Sequence, residues 1–163
     1  MICSSAPLQS NTLTSTNRGQ PTGKSSKINS TEVYIAEPSG KTIHDKKAIL
    51  FLPDVISIWQ NSQLMADQFA ANGYYVLMID QFNGDPMKIN RPADFDFMAW
   101  LTGGSDGKNP HTVDKVEPVV EEALKFLKDA GFTKIGAVGY CFVNLTPSIL
   151  TITKADHSRA LNV

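Results

Sequence analysis

Apolar positions in this chain fall into short unbroken runs separated by helix-spaced stripes. Residues 47–52 (KAILFL) form one such run, stopped by Pro53 and Asp54, which is the pattern of a strand covered on both faces. Residues 60–72 carry Leu64, Met65, Ala66, Phe69 and Ala70 at helical spacing, with Gly73 placed to end the helix. Residues 74–79 (YYVLMI) are a second unbroken run. The three segments make a strand-helix-strand unit, for which a right-handed parallel crossover is the default. Val113, Val116, Val119, Val120, Ala123, Leu124 and Leu127 then recur at steps of three and four, a second amphipathic helix that Pro118 either starts late or kinks and Gly131 closes. Residues 134–139 (KIGAVG) supply a further strand. The expected fold class is α/β, a mainly parallel sheet flanked by helices.

The remaining segments are more polar. Residues 31–36 (TEVYIA) alternate through Val33 and Ile35 and stop before Pro38-Ser39-Gly40, which predicts a strand with a solvent edge. Residues 4–30 are mostly Ser, Thr, Asn, Gln and Gly. They offer too little apolar surface to offset the entropy of ordering and read as arm or loop. Residues 81–108 form a long, loop-rich insertion with a short helix expected at 94–101; loops of this length in compact domains are often functional. Beyond Phe142 the periodicity fails, because residues 143–163 mix β-branched residues, Pro147 and a polar end where the alternation calls for an amphipathic helix.

Composition narrows the class of partner. With 163 residues, 42% of them hydrophobic, the chain can build one domain with a sizeable core. A net charge of −1, with lysines scattered among acids, offers no field for nucleic acid or an anionic membrane, so a small molecule is the expected partner. No apolar run approaches the roughly 18 residues that span a bilayer, and residues 1–9 lack the pattern of a secretory signal. The two cysteines, Cys3 and Cys141, are too few and too differently placed for a disulfide framework, so a reducing cytoplasm is the expected compartment.

The sharpest chemical signal is Gly139-Tyr140-Cys141-Phe142 at the end of a buried strand that should feed a helix. It forms most of a nucleophile elbow, a strained turn that lifts a side chain above the sheet. In such a site the Cys141 thiolate attacks a carbonyl carbon while two backbone N–H groups hold the oxyanion. Phe142 would supply one donor and Val55, in the loop after the first buried strand, the other. The simpler reading of Cys141 is a small hydrophobe filling a strand end; the order of the surrounding elements favours the elbow. Trp59, Phe82, Trp100 and Tyr140 are available to line an acyl pocket, although aromatics in α/β domains more often fill cores. Arg91 is a candidate to meet a substrate carboxylate, against the plainer role of a solvated loop charge. His111, in Asn109-Pro110-His111-Thr112, reads as a surface or helix-capping residue.

Four stretches carry a resemblance to a known family: Leu50-Phe51-Leu52-Pro53-Asp54-Val55-Ile56, residues 65–74, Asp80-Gln81-Phe82-Asn83-Gly84-Asp85-Pro86 and Gly136-Ala137-Val138-Gly139-Tyr140-Cys141-Phe142. They resemble the dienelactone hydrolases, particularly the fungal ones, over roughly residues 19–142. The resemblance implies an α/β-hydrolase fold and a cysteine hydrolase of lactones or small carboxylic esters that needs neither metal nor organic cofactor. It implies a Cys, Asp, His triad, and it matches Asp54 to an acid that contacts the resting thiol and modulates its ionisation. The expected organisation is a polar arm at 1–26, a partial α/β-hydrolase domain at 27–142 and a tail outside the family pattern at 143–163.

Val143 stands where the elbow expects Gly, and the family's final strands, with the loops bearing Asp and His, are expected to be missing. Asp156 and His157 are adjacent and cannot easily serve as successive triad members. Without a base an ordinary thiol is mostly un-ionised at neutral pH, so very slow turnover is expected. A sheet edge left open past Gly139 is expected to favour self-association. The alternatives are a non-catalytic fragment or partner-dependent binding module, and, more weakly, a dinucleotide-binding domain, for which G-x-G-x-x-G is absent.

Overall fold

A computed structural model describes residues 19–141. Its elements run β1 (Lys24–Ile28), β2 (Thr31–Ala36), β3 (Lys47–Leu52), α1 (Gln60–Ala71), β4 (Tyr75–Ile79), α2 (Phe97–Gly103), α3 (Val113–Asp129) and β5 (Lys134–Gly139). The five strands form one sheet in the order β1-β2-β4-β3-β5. Side chains alternate across it, as the pleat requires. Val33, Ala48, Leu50, Leu52, Leu77 and Ile79 point to the face covered by Val116, Val120, Ala123 and Leu127 of α3. Tyr34, Ala36, Phe51, Val76 and Met78 point to the other, covered by Ala66 and Ala70 of α1. The runs of β3 and β4 are apolar because each feeds two cores, whereas β5, expected as a buried strand, is an edge strand among the described residues, with no buried residue.

The sheet is mixed rather than mainly parallel. β3 pairs parallel with both β4 and β5, while β1 with β2 and β2 with β4 are antiparallel. The cause is connection length. Helical crossovers join β3, β4 and β5, whereas β1 and β2 are linked by Asn29 and Ser30 alone, and a two-residue link permits only antiparallel pairing. Asn29 takes φ 50° there, a conformation asparagine tolerates better than most residues.

Two further expectations are corrected. β1 lies within the segment read as arm or loop; most of its side chains are exposed, and its backbone pairing with β2, which polarity does not report, holds it. β2 is an interior strand, not a solvent-edged one, with Tyr34 1% exposed. The Tyr34 hydroxyl donates to Asp67 Oδ1 at 2.7 Å and accepts from the Gly23 amide at 2.7 Å, and burial, then the Asp67 bond, push it up to about 12. A Cβ on Gly23 would lie 2.5 Å from the Ile35 carbonyl oxygen, so only glycine allows this approach.

The short helix begins at Phe97, later than expected, because the Asp96 carboxylate caps it by accepting from the Ala99 amide at 3.0 Å. Pro118 neither delays α3 nor ends it, since the helix starts at Val113 and runs through it. An exposed proline there removes the N–H that would bond the Asp114 carbonyl. Pro118→Ala is therefore expected to raise stability by about 1–2 kcal/mol, measured as a higher urea midpoint with unchanged slope.

Candidate active site

The sheet has one place where consecutive crossovers part. From β3 the chain passes over one face through α1 to β4 on one side, then returns over the other face through α3 to β5 on the opposite side. The C-terminal edge between β3 and β5 is therefore a topological switch point, the crevice where open α/β sheets bind ligands. Leu52 is in register with Gly139, and the Tyr140 amide still donates to the Leu52 carbonyl at 3.1 Å. The chain thus leaves both strands at one level, Cys141 from β5 and Pro53-Asp54-Val55 from β3.

Cys141 is exposed at this edge and has φ 65°. A residue with a Cβ is strained by about 1–3 kcal/mol in that region, so the chain leaves extended strand geometry at Cys141. Phe142, the expected second oxyanion donor, lies outside the described residues, as do Asp156 and His157.

Val55 sits on a tight turn. The Asp54 carbonyl accepts from the Ser57 amide at 2.9 Å, and Asp54 Oδ1 accepts from the Ile56 amide at 3.0 Å. In a trans peptide the N–H opposes the C=O, so the Val55 amide points out of the turn, and no acceptor among the described residues takes it. Asp54 is half-buried; its carboxylate bonds to the Ile56 amide, and no bond joins it to the Cys141 thiol among the described residues.

The other expected residues separate. Trp59 is half-buried at the start of α1, with an indole N–H that has no partner among the described residues. Phe82 is fully buried against Trp100 at 5.3 Å, a core residue rather than a pocket-lining one. Arg91 is exposed and forms no ion pair among the described residues. Trp100 too is core, while Tyr140 is 37% exposed and packs on Phe51.

His111 is neither surface nor cap. It is 1% exposed, its Nε2 lies 3.0 Å from Asp85 Oδ2, and its ring packs on Trp100 and Phe82. Its polar neighbours in sequence concealed this, because the aromatics that bury it come from distant segments. Burial raises the Asp85 carboxyl, but the hydroxyl and amide of Ser105 and the His111 ring outweigh it and hold the group below its ordinary value.

Sequence reading gave no site role to Asp80 or Gln81, which leave β4. Asp80, 5% exposed, accepts from the Ser57 hydroxyl at 2.7 Å, the Phe82 amide at 3.0 Å and the Gly84 amide at 2.6 Å. Gln81, 2% exposed, donates from Nε2 to the Pro53 carbonyl at 2.8 Å. The available signal was position, since both follow a buried strand at the edge where α/β sites assemble.

Two outcomes test this geometry. Only glycine adopts a φ near 65° without a Cβ penalty, so Cys141→Gly is expected to be more stable than Cys141→Ala by about 0.5–1 kcal/mol in urea melts. The depressed Asp85 carboxyl contributes stability above its unfolded value of about 3.9 that is lost as pH falls through the folded one. The wild-type advantage over Asp85→Asn is thus expected at pH 7 and to shrink below about pH 4, read as the difference in urea midpoints.

Comparison with known proteins agrees with this architecture. The profile described as "Dienelactone hydrolase family" matches residues 31–147. The chain is 41% identical over 128 residues to hydrolase tropI of Talaromyces stipitatus, covering 76% of this chain and 49% of that protein. It is 38% identical over 130 residues to hydrolase pyvD of Aspergillus violaceofuscus, covering 78% and 49%, and 33% identical over 135 residues to dienlactone hydrolase 1 of Gibberella moniliformis, covering 77% and 48%. The chain spans about half the length of the curated relatives it matches. No solved structure matches it. With an α/β sheet whose switch point carries an exposed cysteine, and with the family profile covering most of its length, the chain belongs to the dienelactone hydrolase family.

Proposed function

We propose that this chain is a hydrolase that accepts acyl groups from lactones or small carboxylic esters onto Cys141. The observation that carries this reading is the placement of an exposed, left-handed Cys141 beside a loop whose Val55 amide is unpartnered among the described residues. The thiolate adds to the ester carbonyl carbon, forming a C–S bond as the carbonyl electron pair moves onto oxygen. Val55 and Phe142 donate to that oxygen. Collapse breaks the C–O bond and expels the alkoxide, which takes a proton from solvent, leaving a thioester that water must cleave. Asp54 shares the turn with Val55 and serves as the acid that modulates the thiol; Trp59 lines the acyl side, and Arg91 is the candidate to meet a substrate carboxylate. The relatives, two hydrolases and a dienlactone hydrolase by name, support the reaction class. The compartment proposed is the cytoplasm.

No histidine bonds to Cys141 among the described residues, so acylation is expected to outrun deacylation. With p-nitrophenyl acetate the chain should release a burst of about one equivalent of nitrophenolate and then turn over slowly, with the acetyl group found by mass spectrometry on the peptide containing Cys141. A dienelactone should label the same peptide. Cys141→Ser should lose the burst; an undiminished burst in that variant, or no label at Cys141, would reject the proposal.

A further inference from the structure

We infer that Asp80 and Gln81 are positioning residues that fix the direction of the Val55 amide for acyl transfer at Cys141. The inference rests on the hydrolase reading above. It begins with the peptide planes around that amide. The plane between Pro53 and Asp54 is held by Gln81 Nε2 on the Pro53 carbonyl, 2.8 Å. The plane between Asp54 and Val55, which contains the N–H itself, is held by the Ser57 amide on the Asp54 carbonyl, 2.9 Å. The plane between Val55 and Ile56 is held by the Met87 amide on the Val55 carbonyl, 2.8 Å. Three successive peptides are thus pinned, and the Val55 N–H cannot rotate without breaking a bond.

Two of the three anchors, and the support of the other, come from the segment that leaves β4. Ser57 donates its amide from a left-handed backbone, φ 65°, and its buried hydroxyl is held by Asp80 Oδ1 at 2.7 Å. Asp80 spends its other contacts on its own turn, at the Phe82 and Gly84 amides, so one carboxylate locks the β4 exit and the β3 exit together. Burying an amide and a carboxylate at 2% and 5% exposure is costly unless each is bonded. A turn needing only to close would not require the Gln81 side chain, whose recorded bond reaches across to the β3 exit. β4 lies on one side of β3 and β5 on the other. The β3 exit loop is therefore gripped from the side away from Cys141, and its open side is left to the substrate.

The test separates attack on a carbonyl, which develops an oxyanion, from displacement at a saturated carbon, which does not. For the whole chain, acetylation of Cys141 by p-nitrophenyl acetate and alkylation of Cys141 by iodoacetamide are followed by mass spectrometry of its peptide, since Cys3 is also a thiol. Gln81→Met keeps the bulk and removes the donor; Asp80→Asn changes the second anchor. The expected result for Gln81→Met is acetylation slower by about tenfold to a hundredfold with alkylation within about twofold of wild type. Asp80→Asn, if it folds, should show the same split, and Gln81→Met decides the matter if it does not. Acetylation unchanged in Gln81→Met overturns the inference while leaving the hydrolase reading intact, and a parallel loss of both reactions assigns Gln81 to stability alone. Absence of wild-type acetylation at Cys141 overturns both.

Discussion

The parallel pairing of β3 with β5 is the constraint on which the site depends. Parallel strands present their C-terminal ends on one edge, and the register of Leu52 with Gly139 brings the two exits level. A one-residue slip would turn every side chain of β5 to the opposite face and would also carry Cys141 out of step with the β3 exit loop. Apolar alternation protects the register on the β3 side, where Leu50 and Leu52 feed the core under α3 and Phe51 feeds the core under α1. Chemistry at the sheet edge is therefore held in place by packing beneath it.

Polar groups do the finer positioning. The β4 exit and the insertion after it are tied down by hydrogen bonds at Asp80, Gln81 and the Asp85–His111 pair as well as by a small apolar cluster. Such bonds add little net stability each, but leaving one unmade is expensive, so they select one loop geometry sharply. This suits the task proposed for the β3 exit loop, to aim a single N–H group. The small aromatic cluster of Phe82 and Trp100, with Met87 beside them, excludes water from the same region, which strengthens the bonds it encloses.

Strain lies in the connections: Asn29 between β1 and β2 and Lys46 just before β3 take positive φ, and three more such residues follow β3, β4 and β5. Ser57, Asn83 and Cys141 all take positive φ without being glycine, and each follows a strand within a few residues. The interiors of β3, β4 and β5 carry no such residue. The sheet is relaxed, and among the described residues three of the five strained non-glycine residues stand at its C-terminal edge, where the site is proposed.

The sequence by itself determined the strands β3, β4 and β5, the two long helices, the nucleophile candidate and the family, because each is written locally: apolar runs, stripes at helical spacing, a glycine before a cysteine at a strand end. That β5 is an edge strand among the described residues and not a buried one was decided by the sheet order. It also located the Val55 loop, since a strand stopped by Pro53-Asp54 announces its own exit. Tertiary structure decided what depends on partners remote in sequence. β1 is a strand because β2 offers it a backbone, and β2 is interior because Tyr34 finds Gly23 and Asp67. His111 is buried because Phe82 and Trp100 close over it. Asp80 and Gln81 matter because their side chains reach a loop 23 and 28 residues away. Hydrophobic periodicity records which face a residue turns to the core, but a polar residue's burial is settled by a partner that only the folded chain supplies.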